Sequence, residues 1–177
     1  MDRLDAVVVP GRYQPLHEGH LHVFKYALSV AKRIYIVVGS AQESFTLKNP
    51  LSAGERIVML ETALDEVMGR GWERRIRVYP VMDINMNKVW VRYLQQLLPP
   101  FQGVVSGNEL VLALFEDEGM EAIRPPLYRR GECSGTLIRR RILEGDPEWR
   151  RCVPEVVANY LDSIGFTHRL VRLARHE

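Results

Sequence analysis

Lysine is scarce in this chain. Four Lys stand beside 20 Arg among 177 residues, and 24 basic residues face 22 acidic ones, a formal charge of +2. So balanced a total excludes a general polyanion coat, which needs a large basic excess. It leaves room for a local anion site, and arginine suits one because its planar fork grips phosphate or carboxylate through two bonds; codon bias gives the same composition. Cysteine is nearly absent: Cys133 and Cys152 occur without a C-x-x-C pair. No disulfide framework is expected, and a reducing, cytoplasmic setting fits. No apolar run approaches the roughly 18 residues of a membrane helix. The chain enters an apolar strand directly after Met1-Asp2-Arg3-Leu4-Asp5, without the pattern of a signal peptide. Repeats and low-complexity tracts are missing. One domain over residues 1–177 is expected, with 46% hydrophobic residues to build its core.

What is present is an alternation of short β-branched runs with segments of helical period. Residues 6–9, 34–38, 76–81, 104–106 and 121–123 read as five buried strands. Helical periods fill 21–30, 54–68, 89–98, 110–117 and 135–143, the last capped by Ser134, and two more helices near 154–163 and 167–175 form a tail from about 153. This order predicts an α/β fold: a doubly wound, parallel, five-stranded, Rossmann-like sheet with helices on both faces and a C-terminal helical tail. Ligands of such sheets sit at the carboxyl ends of strands, which singles out the loops after Val9, Val38, Val81 and Ser106.

The first loop, Gly11-Arg12-Tyr13-Gln14-Pro15-Leu16-His17-Glu18-Gly19-His20, holds neither G-x-x-x-x-G-K-[ST] nor G-x-G-x-x-G. It places two histidines three apart where a helix begins. A helix N-terminus offers free N–H groups and partial positive charge to phosphate, and glycine lets backbone approach an anion closely. No further His or Cys nearby completes a tetrahedral zinc set, while an ordinary surface pair stays open. His22 reads as a solvent-facing helix residue. A second helix start, Cys133-Ser134-Gly135-Thr136-Leu137-Ile138-Arg139, offers hydroxyls, N–H groups and an arginine one turn on. Alone it reads as a capped helix with a solvated basic face; together the two starts point to a polyphosphate.

With these stretches on the page, the sequence resembles the nucleotidyltransferase superfamily with the H-x-G-H signature, specifically archaeal-type nicotinamide-mononucleotide adenylyltransferases. His17-Glu18-Gly19-His20 and Ser134-Gly135-Thr136-x-x-Arg139 match the superfamily. Gly39-Ser40-Ala41-Gln42, Ala53-Gly54-Glu55-Arg56 and Asp83-Ile84-Asn85 with Trp90 match the narrower group. The resemblance implies transfer of AMP from ATP to nicotinamide mononucleotide, giving NAD and pyrophosphate. It implies a divalent cation, usually Mg²⁺, held mainly by phosphates rather than protein side chains, and a homo-oligomer, often a hexamer. Nucleic acid and membrane are not expected partners. Carried over residue by residue, it assigns His17, His20, Arg139 and Arg12 to catalysis, His20 at the α-phosphate. Gly11, Tyr13, Gly19, Arg56, Ser134, Gly135 and Thr136 fall to ATP and its phosphates. Ser40, Asp83, Asn85, Asn87 and Trp90 fall to the nicotinamide nucleotide, Trp90 stacking on the ring.

Taken alone, Trp90 also reads as a core aromatic, Asn87 as a helix cap and Arg56 as a solvated helix residue. Phe45, where relatives often have His, and Glu109, where a neutral residue is commoner, depart from the pattern. Transfer to another phosphorylated acceptor (phosphopantetheine, FMN or a polyol phosphate) shares both phosphate motifs, and so does a nucleotide-binding module without turnover. Residues 124–141 carry six Arg and one Glu, so the remaining 159 residues sum to −3. That distribution reads as a neutral scaffold with one focused cationic site.

Overall fold

The structure, a computed structural model, describes residues 2–129 and 131–177. Strands β1 (Leu4–Gly11), β2 (Ala31–Val38), β3 (Ile76–Pro80), β4 (Gly103–Val105) and β5 (Glu121–Ile123) form one sheet in the order β3-β2-β1-β4-β5, with every pairing parallel. The crossovers carry α1 (Glu18–Val30), α2 (Ala53–Met68), α3 (Trp90–Leu97) and α4 (Glu109–Asp117). After β5 come α5 (Gly135–Leu143), α6 (Glu155–Ser163) and α7 (Phe166–Ala174).

Successive strand residues point to opposite faces, and each face builds a core. Val7, Val9, Ile34, Ile36 and Val38 pack with Leu21 and Phe24 of α1, Met59, Leu60 and Leu64 of α2, and Ile138, Val157, Leu161, Phe166 and Leu170 of α5–α7. Ala6, Val8, Tyr35 and Val37 pack with Val91 and Leu94 of α3 and Leu112 and Phe115 of α4. The expected doubly wound sheet is therefore present. Its tail is no appendage, because α6 and α7 complete the core on the face of α1 and α2.

Two features depart from the sequence-based expectation. Short 3₁₀ turns occupy Trp72–Arg74, Asn87–Val89 and Pro147–Cys152; segments this short have no 3.6-residue period to read. Cys133 and Cys152 form a disulfide, S–S 2.10 Å and Cα–Cα 5.3 Å, where none was expected. They lie 19 residues apart without a motif, and they meet because the turn Pro147–Cys152 packs back against α5. Among the described residues, no helix is long and apolar enough to cross a membrane.

The site edge of the sheet is held by Arg56, in the first turn of α2. Ser52 caps that helix and exchanges hydrogen bonds with Glu55, which starts it firmly. Arg56 is 0% exposed. Its guanidinium donates to the carbonyls of Arg12 (3.0 Å), Gly39 (2.6 Å), Ser40 (3.0 Å) and Ser52 (3.3 Å). Burial lowers its pKa to about 10, with nearby Asp83 acting the other way and Arg12 adding to the fall, so it stays charged at neutral pH. The expectation that Arg56 faces phosphate is corrected: backbone carbonyls take its donors, and it joins the loops after β1 and β2. Arg56→Met should leave these carbonyls without their donor and lower unfolding free energy by ~3 kcal/mol or more, measured by chemical denaturation.

Candidate functional site

A cavity of about 390 Å³ opens at the carboxyl ends of β1 and β4, between which the strand order reverses. Val9, Pro10 and Gly11 end its β1 side, and Val105, Ser106 and Gly107 its β4 side. The start of α1, the loop from Arg124 to Tyr128 and the start of α5 complete the wall.

His17 and His20 build the start of α1. His17 is the N-cap, and its Nδ1 accepts the Gly19 N–H at 3.1 Å. His20 occupies the third helical position, and its Nδ1 accepts the His17 N–H at 3.1 Å. This is a capping box made of two imidazoles in place of the usual hydroxyl and carboxylate. Because both Nδ1 atoms accept, both neutral rings carry their proton on Nε2 and are fixed as donors there. The rings stack at 3.8 Å. Burial lowers the pKa of His17 to about 4; burial and the neighbouring His17 push His20 well below the usual histidine range. At neutral pH both are uncharged donors. Gly19 is required sterically: a Cβ there would lie 2.8 Å from Cε1 and 2.9 Å from Nδ1 of His17.

The second helix start faces the same cavity. Ser134 caps α5, its Oγ accepting the Leu137 N–H at 3.2 Å, which leaves the hydroxyl proton to donate elsewhere. Arg139, one turn on, is buried and donates to the Gln14 carbonyl at 2.6 Å. Burial first, and Arg12 second, lower its pKa to about 10. Gln14 is itself locked, its amide both donating to the Leu51 carbonyl and accepting the Leu51 N–H, each at 2.9 Å. Arg12 thus lies within electrostatic reach of both Arg56 and Arg139. Like charges brought together disfavour the empty site and favour an anion. Among the described residues, no group of three or more His, Cys, Asp or Glu is placed to hold a metal ion.

Of the residues expected from sequence, Gly11, Arg12, Tyr13, His17, Gly19, His20 and Ser134 line the cavity. Gly135, Thr136 and Arg139 follow Ser134 on the first turns of α5, outside the lining. Tyr13 serves from beneath: its hydroxyl donates to the Val9 carbonyl at 2.9 Å, and its buried ring lies 4.6 Å from that of His20, so its side chain supports the imidazole and its phenol is not free for phosphate. The residues expected at the second nucleotide form their own group after β2 and β3. Ser40 donates to Asp83 from its hydroxyl at 2.6 Å and from its backbone N–H at 3.3 Å. Asn85 and Asn87 are exposed, and Trp90 meets Phe115 edge-on at 6.1 Å while part of its surface stays open. Asn87 lies inside its 3₁₀ turn and does not cap it.

Sequence reasoning missed the wall formed by Leu127 and Tyr128. Pro125 and Pro126 make this stretch a loop, but its approach to α1 depends on where β5 pairs. His22 is corrected as well: it stacks on Tyr128 at 4.7 Å, with its Nε2 buried and unpartnered among the described residues, rather than facing solvent. The basic excess of residues 124–141 is less focused than its count suggests. Arg124 lines the cavity and pairs with Glu109, whereas Arg129 and Arg140 pair with Glu132 and Glu144, and Arg141 donates to the Glu132 carbonyl. Arg130 lies outside the described residues. Backbone irregularity concentrates at this edge: Tyr13, Ser40, Phe45, Asn85 and Arg129, all in loops after strands, are the non-glycine residues with positive φ among those described.

Two phosphate-seeking helix starts at the switch point of a doubly wound sheet define a nucleotide-handling α/β protein of the nucleotidyltransferase class. A family model described as cytidylyltransferase-like matches residues 8–141. The chain belongs to that family and, within it, groups with archaeal nicotinamide-nucleotide adenylyltransferases. It is 56% identical to the protein so named from Aeropyrum pernix, over 96% of this chain and 98% of that one. It is 42% identical to the one from Ignicoccus hospitalis, over 95% and 97%. A bifunctional NMN adenylyltransferase/ADP ribose pyrophosphatase from Francisella tularensis, solved with AMP and a manganese ion, shares the fold at a TM-score of 0.74 and 21% identity. The alignment covers 98% of this chain, which spans about half (53%) of that longer protein.

The buried neutral histidines set an acid limit. Between about 6.5 and about 4 the unfolded chain takes up a proton at His17 that the folded chain refuses, so stability falls as pH falls through that window. The melting temperature should drop on acidification across it. His17→Asn, which keeps a side-chain acceptor at the cap, should flatten the drop.

Proposed function

We propose that this chain transfers AMP from ATP to nicotinamide mononucleotide, releasing pyrophosphate and forming NAD. The observation that carries this reading is the facing of two helix starts, one with paired Nε2–H donors and one capped by Ser134, over a cavity lined by Arg12 and Arg124. Near-full-length identity to nicotinamide-nucleotide adenylyltransferases supports the acceptor.

In this reading a 5′-phosphate oxygen of the mononucleotide attacks the α-phosphorus of ATP. That O–P bond forms while the bond from the α-phosphorus to the bridging oxygen breaks, and pyrophosphate leaves with the electron pair. The acceptor phosphate is already anionic, so no general base is needed. The chain's work is positioning and charge stabilisation. His20 and His17 donate through Nε2 to phosphoryl oxygens, His20 to the α-phosphate. Their neutrality adds no repulsion to the crowded cations Arg12 and Arg139. Ser134 and the N–H groups opening α5 receive the leaving pyrophosphate, and Arg12 spans the two substrates' phosphates. A divalent cation such as Mg²⁺, held mainly by the triphosphate rather than by protein side chains, would supply charge neutralisation there, and the cytoplasm is the proposed setting. The second nucleotide lies toward Asp83, Asn85 and Asn87, with the open face of Trp90 against its pyridinium ring. Assembly into a homo-oligomer is part of the same proposal.

His20→Ala should lower kcat by roughly 10²–10³, and NAD pyrophosphorolysis should fall with it because both directions share one transition state. Coupled assays of pyrophosphate release and of ATP formation read the two; a near-normal kcat would remove His20 from the α-phosphate. Trp90→Ala should raise KM for the mononucleotide and leave KM for ATP in place. An equal rise in both would reject the stacking role.

A further inference from the structure

The loop from Ala41 to Ser52 brings Asn49 to Arg12, and the far end of the chain holds that loop. Asn49 is 3% exposed. Its backbone N–H donates to Thr46 Oγ1 at 2.9 Å, and its Nδ2 donates to Glu43 at 3.2 Å. With Nδ2 so engaged, Oδ1 is left facing Arg12, which donates to it from Nη1 at 3.4 Å. The loop's inner end is fastened by Gln14 on Leu51. Its outer part is fastened by Arg169, on α7, through three different contacts. Nη1 donates to the Pro50 carbonyl at 3.1 Å. The two ends of the guanidinium grip both oxygens of Glu55, each at 2.7 Å. The flat face covers the Phe45 ring at 4.2 Å. Glu177 adds a bond to the Leu47 N–H at 3.3 Å.

This is not an ordinary surface ion pair. The Arg169 and Glu55 side chains are 14% and 22% exposed, and a two-pronged pair shielded from water is held more firmly than the exposed pairs elsewhere on the molecule. Glu55 has its pKa lowered by that bond. A staple between α7 and α2 would need Glu55 alone. The carbonyl of Pro50 and the ring of Phe45 belong to the loop, and Phe45 is 57% exposed, with the guanidinium as its cover. Phe45 also takes a positive φ, 57°, a conformation that needs support from its surroundings.

We propose that Arg169 is a positioning residue for nucleotidyl transfer: by fixing the loop 41–52 against α7 it sets Asn49, and Asn49 aims the Arg12 guanidinium into the phosphate cavity. The proposal rests on the reading of that cavity as the nucleotide site. It makes the C-terminal helix part of the active site's frame without any contact to substrate.

A double-mutant cycle tests it. In the full-length protein, kcat, KM for each substrate and ATP affinity by calorimetry are measured for wild type, Arg169→Ala, Arg12→Ala and the double variant, well below each melting temperature. Arg169→Ala should lower kcat/KM by roughly tenfold to a hundredfold, and amide exchange at residues 43–51 should speed up. In the Arg12→Ala background, removing Arg169 should add little, because the group it aims is gone. Losses that multiply would overturn the proposal, as would normal kinetics with a loosened loop. Arg169→Lys, which keeps the charge without the fork, and Phe45→Ala, which removes only the stacked ring, should give smaller losses with the same dependence on Arg12; they stand in if Arg169→Ala does not fold. Failure of the wild type to make NAD would refute the functional reading separately, and the calorimetric cycle with ATP would still decide on Arg169.

Discussion

One buried guanidinium decides where the site can be. Arg56 spends four donors on the carbonyls of Arg12, Gly39, Ser40 and Ser52, and those carbonyls belong to the ends of β1 and β2 and the start of α2. Without it, the chain leaving each parallel strand would have buried carbonyls to satisfy and no shared partner. With it, the loop carrying Arg12 and the loop carrying Ser40 become one unit. Asp83, bonded to Ser40, adds the end of β3 to that unit. A charge is kept inside the protein as a fastener for backbone, and Arg12, which lines the cavity, is set beside it.

The histidine pair follows the same logic. Each imidazole uses one nitrogen to finish the helix, and in the proposed reaction the other donates to phosphate. Structural and chemical duties are divided between two atoms of one ring, so the donor direction is fixed before any substrate arrives. Such prior organisation is what electrostatic catalysis needs, because no reorientation is left for the moment of reaction. The Tyr13 ring beneath His20 and the tight fit of Gly19 against His17 leave the rings few other places to go.

Much of this was legible in the sequence, for definite reasons. Fully buried parallel strands are short β-branched runs, so Ala6–Val9 and Ile34–Val38 stood out, and the alternation with helices gave the sheet. His17, His20, Ser134 and Arg139 stood out because helix starts have local signatures. What stayed hidden depended on contacts distant in sequence. Nothing local distinguishes Arg56, a scaffold clamp, from a phosphate ligand beside Ala53-Gly54-Glu55. Cys133 and Cys152 pair through the packing of a short turn. His22 leaves the solvent only because the loop after β5 lays Tyr128 across it. Phe45 is an exposed aromatic at a positive φ, and its cover, the guanidinium of Arg169, lies 124 residues further along the chain.

The position of α7 bears on how the protein comes into being. The sheet and most of the cavity wall are encoded before residue 140, so they leave the ribosome first, with the face of β1 and β2 still lacking Val157, Leu161, Phe166 and Leu170. The contacts that secure the outer edge of the loop 41–52 come from Arg169 and Glu177, encoded well after both phosphate motifs. A segment can therefore carry both phosphate motifs and still lack the packing that α6 and α7 bring to its core and to the loop 41–52.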